Sequence, residues 1–178
     1  GVEIEQASVV NFLNSMRKAP GLAASDAVLA ITTLSFDISV LELYLPLVTG
    51  ARVVLASRSQ AADGDWLAAN IERSGVSVVQ ATPATFRLLL AAGWRGGAGL
   101  KLVVGGEALP RDLAEALLPR CRELWNVYGP TEATVWSTAE RITSADDVTI
   151  GRPIDNTSCY VLDELTEPAP LGVAGARW

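Results

Sequence analysis

Apolar positions along this chain repeat in two registers. Over residues 7–17, Val9, Val10, Leu13 and Met16 recur at three- and four-residue intervals, which predicts a helix with one buried face. Residues 28–33, 51–56, 76–81, 100–106 and 123–129 are instead short, almost unbroken apolar runs, which predict buried strands. Helical spacing returns between them. It predicts helices over 38–48 (with Pro46 a point for a kink), over 65–75 closed by Gly75, over 83–93 between Pro83 and Gly93, and over 110–121. Strands apolar on both faces and alternating with helices predict an α/β fold: a flavodoxin-like, doubly wound, mainly parallel sheet covered on both sides. Beyond about residue 135 the pattern weakens into shorter stretches, "VWSTAERI", "VTIGRP" and "SCYVLDE", which predict short β additions. "EPAPLGVAGARW" has no period and reads as an exposed tail.

Length fits this picture, since 178 residues suit a single unit with one sizeable core. No apolar run is long enough to span a bilayer, and a net charge of −6 without a basic cluster argues against a nucleic-acid partner. Cys121 and Cys159 have neither a disulfide framework nor a metal spacing, which suits a reduced, cytoplasmic setting. The sequence contains no histidine. A Ser-His-Asp triad, a His-ligated metal and a histidine base are therefore excluded.

Polar residues concentrate where the predicted strands end. Asp37 follows the first strand; Gln80 and Thr82 end another; Gly105-Gly106-Glu107 end the next; Asn126, Tyr128, Thr131 and Glu132 end the last. In a parallel sheet all four groups reach one rim, where open α/β sheets bind ligands. Gly105-Gly106 would let a planar ligand approach the backbone, Tyr128 would stack on a base, and Glu132 would suit Mg²⁺ bridging nucleotide phosphates. Asp37, set among apolar neighbours, would need a cation such as a substrate ammonium, or it would simply cap the following helix. Pro130 and Glu132 equally suit a plain helix start. Gly96-Gly97-Ala98-Gly99 reads as a surface loop, and Trp66 and Trp94 as side chains on helix faces or the surface. No Walker A or dinucleotide fingerprint is present.

Several of these stretches resemble one family. "NVYGPTEATV" (126–135) resembles the Asn-x-Tyr-Gly-Pro-Thr-Glu motif of adenylate-forming enzymes. "LSFDISVLELYLPLVTGA" (34–51) resembles the Phe-Asp-x-Ser motif of the amino-acid adenylation domains of nonribosomal peptide synthetases. "VVQATPATF", "LVVGGEAL" and "IGRPIDNTSCYVLDE" resemble the segments between and after them, in the same order. The resemblance implies activation of an amino acid with Mg-ATP to an aminoacyl adenylate, then loading onto the phosphopantetheine thiol of a carrier domain. It assigns Asp37 to the substrate ammonium, Gly106, Glu107 and Ala108 to the adenine side, and Asn126 and Tyr128 to flanking and stacking on adenine. Gly129 joins the nucleotide segment, Thr131 a phosphate contact, and Glu132 the Mg²⁺ ligand. The implied amino-acid pocket comprises Asp37, Ile38, Leu41, Gln80, Val103, Gly105, Val127, Val135 and Trp136. This string resembles the pattern associated with glycine activation. Trp136, with Ile38 and Leu41, would fill the space a larger side chain needs; as ordinary core residues, they would serve packing alone.

Some positions depart from the family pattern. Gly1-Val2 resemble the end of its phosphate loop, Gln6 stands where histidine is frequent, and Ala176-Arg177 depart from the usual Gly-Glu-Leu. The expectation is a specificity subdomain (1–178) without the phosphate loop, ribose-binding acid or catalytic lysine, inactive by itself and prone to self-association through apolar surfaces. An acyl- or aryl-CoA ligase, whose substrates lack the ammonium, and a noncatalytic flavodoxin-like binding module are the alternatives.

Overall fold

The computed structural model describes residues 1–170, 172, 173, 176 and 177. Its centre is a seven-stranded sheet in the order β2-β1-β3-β4-β5-β6-β7. Five strands are parallel: β1 (Ala27–Ala30), β2 (Arg52–Leu55), β3 (Val78–Ala81), β4 (Lys101–Val104) and β5 (Glu123–Tyr128). β6 (Thr138–Ile142) folds back antiparallel to β5, and β7 (Arg152–Pro153) pairs antiparallel to β6. The 2-1-3-4-5 order of the parallel part is the flavodoxin-like one expected from the sequence.

Alternation along the strands divides the core in two. Val28, Val78, Val103 and Val127 face α1 (Gln6–Met16) and α2 (Ser39–Thr49). Leu29, Val79, Leu102 and Leu124 point the other way, into a cluster with α4 (Gly64–Arg73), α5 (Pro83–Ala91) and α6 (Arg111–Leu117). Successive side chains of a strand point to opposite faces, so a strand covered on both sides must be apolar throughout. That is why the strands read as continuous runs.

Element ends follow local chemistry. α5 starts at Thr82, whose side chain accepts from the Thr85 amide, with Pro83 in its first turn. α2 runs through Pro46 and stops at Gly50 (φ 76), a left-handed cap suited to glycine. A short helix not expected from periodicity, α3 (Arg58–Ala61), is set by a capping box between Ser57 and Gln60. The first strand is shorter than its apolar run, ending at Ala30, because the Ile31 and Thr32 amides donate to the Glu42 carboxylate instead of a neighbouring strand. Trp94 is buried in the core with α4, α5 and α6 rather than lying on a helix face or the surface, and Trp66 packs partly buried against the same cluster. The C-terminal stretch is not simply an exposed tail: β9 (Ala176–Arg177) pairs antiparallel with β8 (Val161–Leu162). Leu171, Ala174, Gly175 and Trp178 of that stretch lie outside the described residues.

Candidate functional site

Because β1, β3, β4 and β5 are parallel neighbours, their C-terminal ends share one rim. The chain leaves β1 toward β2 on one side and returns as β3 on the other, so the rim has its topological switch between β1 and β3. A side chain bridges that crevice. Gln80, at the end of β3, donates from Nε2 to the Ile38 carbonyl at 2.9 Å, and its Oε1 accepts the indole N–H of Trp136 at 3.0 Å. These partners fix the amide's orientation, since only the oxygen can accept from the indole and only the nitrogen can donate to the carbonyl.

Among the described residues Trp136 is the largest fully buried side chain, and it forms a wall. Its ring lies directly on Gly105: a Cβ there would meet Trp136 Cη2 at 2.6 Å and Val127 Cγ2 at 2.7 Å. Ile38, Leu41, Val103, Val127 and Val135 pack into the same cluster. A strained turn delivers the indole. After the short turn Thr131–Ala133, Thr134 (φ 67) and Val135 (φ 64) both adopt left-handed backbone, although neither is glycine. The turn is held because Gly129 passes so close that a Cβ would meet the Val135 carbonyl oxygen at 2.5 Å. Ser137 also donates its amide to the Tyr128 carbonyl at 2.7 Å.

Beside this wall opens a pocket of about 290 Å³, lined by Gly106, Glu107, Ala108, Asn126, Val127, Tyr128, Gly129, Trp136 and Ile150. Tyr128 is 49% exposed at its edge. Asn126 is buried and donates to the Thr149 carbonyl at 2.7 Å, which fastens the loop before β7 to the pocket floor. Its Oδ1 accepts no hydrogen bond among the described residues and remains free for a ligand donor.

The structure thus gathers Ile38, Leu41, Gln80, Val103, Gly105, Val127, Val135 and Trp136 into one packed wall. It sets Gly106, Glu107, Ala108, Asn126, Tyr128 and Gly129 around the adjoining pocket. Asp37 immediately precedes Ile38 and is half-buried rather than buried. It does not cap α2, whose N-cap is Ile38 without a side-chain bond, and its carboxylate has no hydrogen-bond partner among the described residues. Thr131 is half-buried in the turn; Glu132 is exposed and lines a separate cavity of about 510 Å³ with Ser8, Asn11 and Thr134. Another cavity, of about 710 Å³, lies at the opposite end of the sheet beside Val76, Trp94 and the Gly96–Gly99 loop, away from every one of these residues.

Sequence reasoning passed over Glu42, read only as part of an apolar helix. It is wholly buried, and burial pushes its carboxyl above the usual range, a shift only partly offset by bonds from Thr32, Gln80 and Ile31. A lone acid on the inner face of a helix, one turn after Ile38, was the available signal.

The whole chain, residues 1–178, matches the family model described as AMP-binding enzyme. It is 43% identical over 176 residues to the PKS-NRPS hybrid synthetase acdB of Aspergillus candidus, covering 98% of this chain and 7% of that protein. It is also 43% identical over 177 residues to a dimodular nonribosomal peptide synthase of Bacillus subtilis (strain 168), again covering 98% of this chain and 7% of the relative. A solved four-domain nonribosomal peptide synthetase, bound to AMP and glycine, superposes with a TM-score of 0.96 at 48% identity, over 100% of this chain and 14% of that one. The chain therefore spans a small part of the proteins it matches.

Proposed function

Because this chain belongs to the AMP-binding enzyme family, among the adenylation domains of nonribosomal peptide synthetases, we propose that residues 1–178 form the amino-acid-selecting and adenine-binding subdomain of such a domain, and that its amino acid is glycine. The enzyme would join the glycine carboxylate to the α-phosphate of ATP, release pyrophosphate, and pass the glycyl group to the phosphopantetheine thiol of a carrier domain.

One observation carries the glycine assignment: Trp136 rests on Gly105, at a distance where one added carbon would overlap its ring. Trp136 is 1% exposed and packs with Ile38, Leu41, Val103 and Val127. A substrate side chain would have to enter this packing, and forcing a methyl into it costs about 1–3 kcal/mol. The glycine bound in the 48%-identical synthetase supports the same reading. Asp37, half-buried and without a partner among the described residues, would pair with the substrate ammonium. Tyr128 would stack on adenine, the free Oδ1 of Asn126 would accept its exocyclic amine, and exposed Gly106, Glu107 and Ala108 would border it. Gly129 would keep the backbone close to the nucleotide and Thr131 would reach a phosphate.

Among the described residues no three His, Cys, Asp or Glu side chains converge to enclose a metal. A lone exposed Glu132 suits Mg²⁺ held chiefly by phosphate oxygens and water, where the ion would neutralise phosphate charge. Neither lysine reaches the rim: Lys18 pairs with Asp155, and Lys101 binds the Pro20 and Gly21 carbonyls. By themselves the 178 residues are therefore expected to show no ATP–pyrophosphate exchange.

The test is exchange after this chain replaces the matching stretch of the 48%-identical synthetase. Glycine-dependent exchange is expected, abolished by Asp37→Ala. Exchange with alanine or phenylalanine but not glycine would reject the assignment, and exchange with a simple carboxylic acid that survives Asp37→Ala would favour an acyl-ligase reading.

A further inference from the structure

Beneath the proposed pocket lies a carboxylate that the reading above does not use. Glu42 sits on the inner face of α2 between Leu41 and Leu45, fully shielded from water. A buried acid there requires donors, and it has four. Its Oε2 accepts the Ile31 and Thr32 amides at 2.8 and 2.9 Å, and its Oε1 accepts the Thr32 hydroxyl at 2.6 Å and Gln80 Nε2 at 3.2 Å. Three of these bonds hold the start of the loop from β1 to Asp37. The fourth holds the amide that in turn holds the Trp136 indole. An unbroken line of hydrogen bonds, Thr32–Glu42–Gln80–Trp136, thus crosses the crevice between β1 and β3.

We propose that Glu42 is a positioning residue for amino-acid selection: it fixes Gln80 so that Trp136 stays against Gly105, and it sets the Asp37 loop at a constant distance from that wall. The proposal rests on the glycine reading. A wall excludes a methyl only if it cannot yield, and an indole whose N–H partner is loose can swing aside and admit one. Selection would then depend on a residue that touches neither substrate nor nucleotide. Glutamine cannot replace Glu42 quietly, because its NH₂ would face either the Gln80 N–H or the backbone amides, donor against donor.

The experiment compares kcat/KM for glycine and alanine in the same grafted synthetase. Trp136→Ala is expected to lower the glycine:alanine ratio. Glu42→Gln is expected to lower it by about fivefold or more, chiefly by admitting alanine, within the range over which one methylene is discriminated. Because its effect on selection runs through the indole, the glycine:alanine ratio should fall no further in the Glu42→Gln/Trp136→Ala double variant than in Trp136→Ala, whereas a merely structural role would depress glycine and alanine turnover together and leave the ratio unchanged in Glu42→Gln. Thr32→Val, which removes a single donor, should shift the ratio in the same direction by less, and it decides the matter if Glu42→Gln does not fold. A ratio unchanged in Glu42→Gln and Thr32→Val while Trp136→Ala lowers it overturns the relay and leaves the glycine reading standing. A ratio unchanged in Trp136→Ala removes the glycine wall and the relay with it.

Discussion

Gly105 and Glu42 show how single residues set this rim. At Gly105 the missing side chain is the requirement, since Trp136 Cη2 lies only 2.6 Å from where a Cβ would stand. Gly105→Ala should therefore destabilise the fold by about 1–3 kcal/mol through overpacking, read by urea denaturation, and should lower glycine exchange in the grafted enzyme. At Glu42 the requirement is a pair of acceptor oxygens with donors around them. Burial raises its folded pKa above the ordinary 4.5, so protonation favours the folded state. Its contribution to stability is fully present below pH 4.5 and falls as pH rises through the raised value. The stability of the parent relative to Glu42→Gln should thus be greatest at acid pH and shrink toward neutrality in denaturation series; a gap constant with pH would contradict this. Asp37, Gln80 and Tyr128 could be picked out from the sequence because polar residues at the ends of apolar runs stand out. Glu42 carried only the weaker signal of an acid on a buried helix face, because a helix pattern shows which face is buried but not which donors from other segments meet it there.

At the scale of elements, the sheet is pinned from its far end as well. Lys101 begins β4 and is buried, with Nζ donating to the Pro20 and Gly21 carbonyls at 2.6 Å each. Burial lowers its pKa, partly countered by Glu123 and Asp26. The contact ties the segment after α1 to the middle of the sheet. Lys101→Met should cost about 1.5–3 kcal/mol, the range for bonds to a charged group, and lower the thermal midpoint without altering amino-acid preference in the grafted enzyme. The turn from Gly129 to Val135 is the opposite case, strained and close to the pocket. Gly129→Ala would drive a Cβ into the Val135 carbonyl, which as backbone cannot rotate away. Loss of glycine exchange is expected there, with Tyr128 and Trp136 both displaced. Strand and helix order was legible from apolar spacing. The antiparallel return of β6 was only foreshadowed as short β additions, since short mixed runs do not show their partner or direction.

For the whole molecule, exposed apolar surface is the open matter. On α2, Tyr44, Leu47 and Val48 share the outward face, with Leu47 70% exposed, and on edge strand β2 Leu55 is equally bare. Surface of this kind favours association. The isolated chain should therefore self-associate at micromolar concentrations, and Leu47→Glu should shift it toward monomer in sedimentation velocity; a parent that is monomeric throughout would show that this face needs no cover. Sequence alone determined the alternation of strands and helices, the two-sided burial of the strands and the placing of polar residues at their ends, because periodicity and turn residues are local properties. Only the tertiary structure decided that Gln80 would span the crevice to Ile38, that Trp136 would lie on Gly105, and that Glu42 would stand beneath both. The hydrogen bonds that hold this arrangement join residues 38 to 56 positions apart, and no local pattern records which distant groups close packing will bring together.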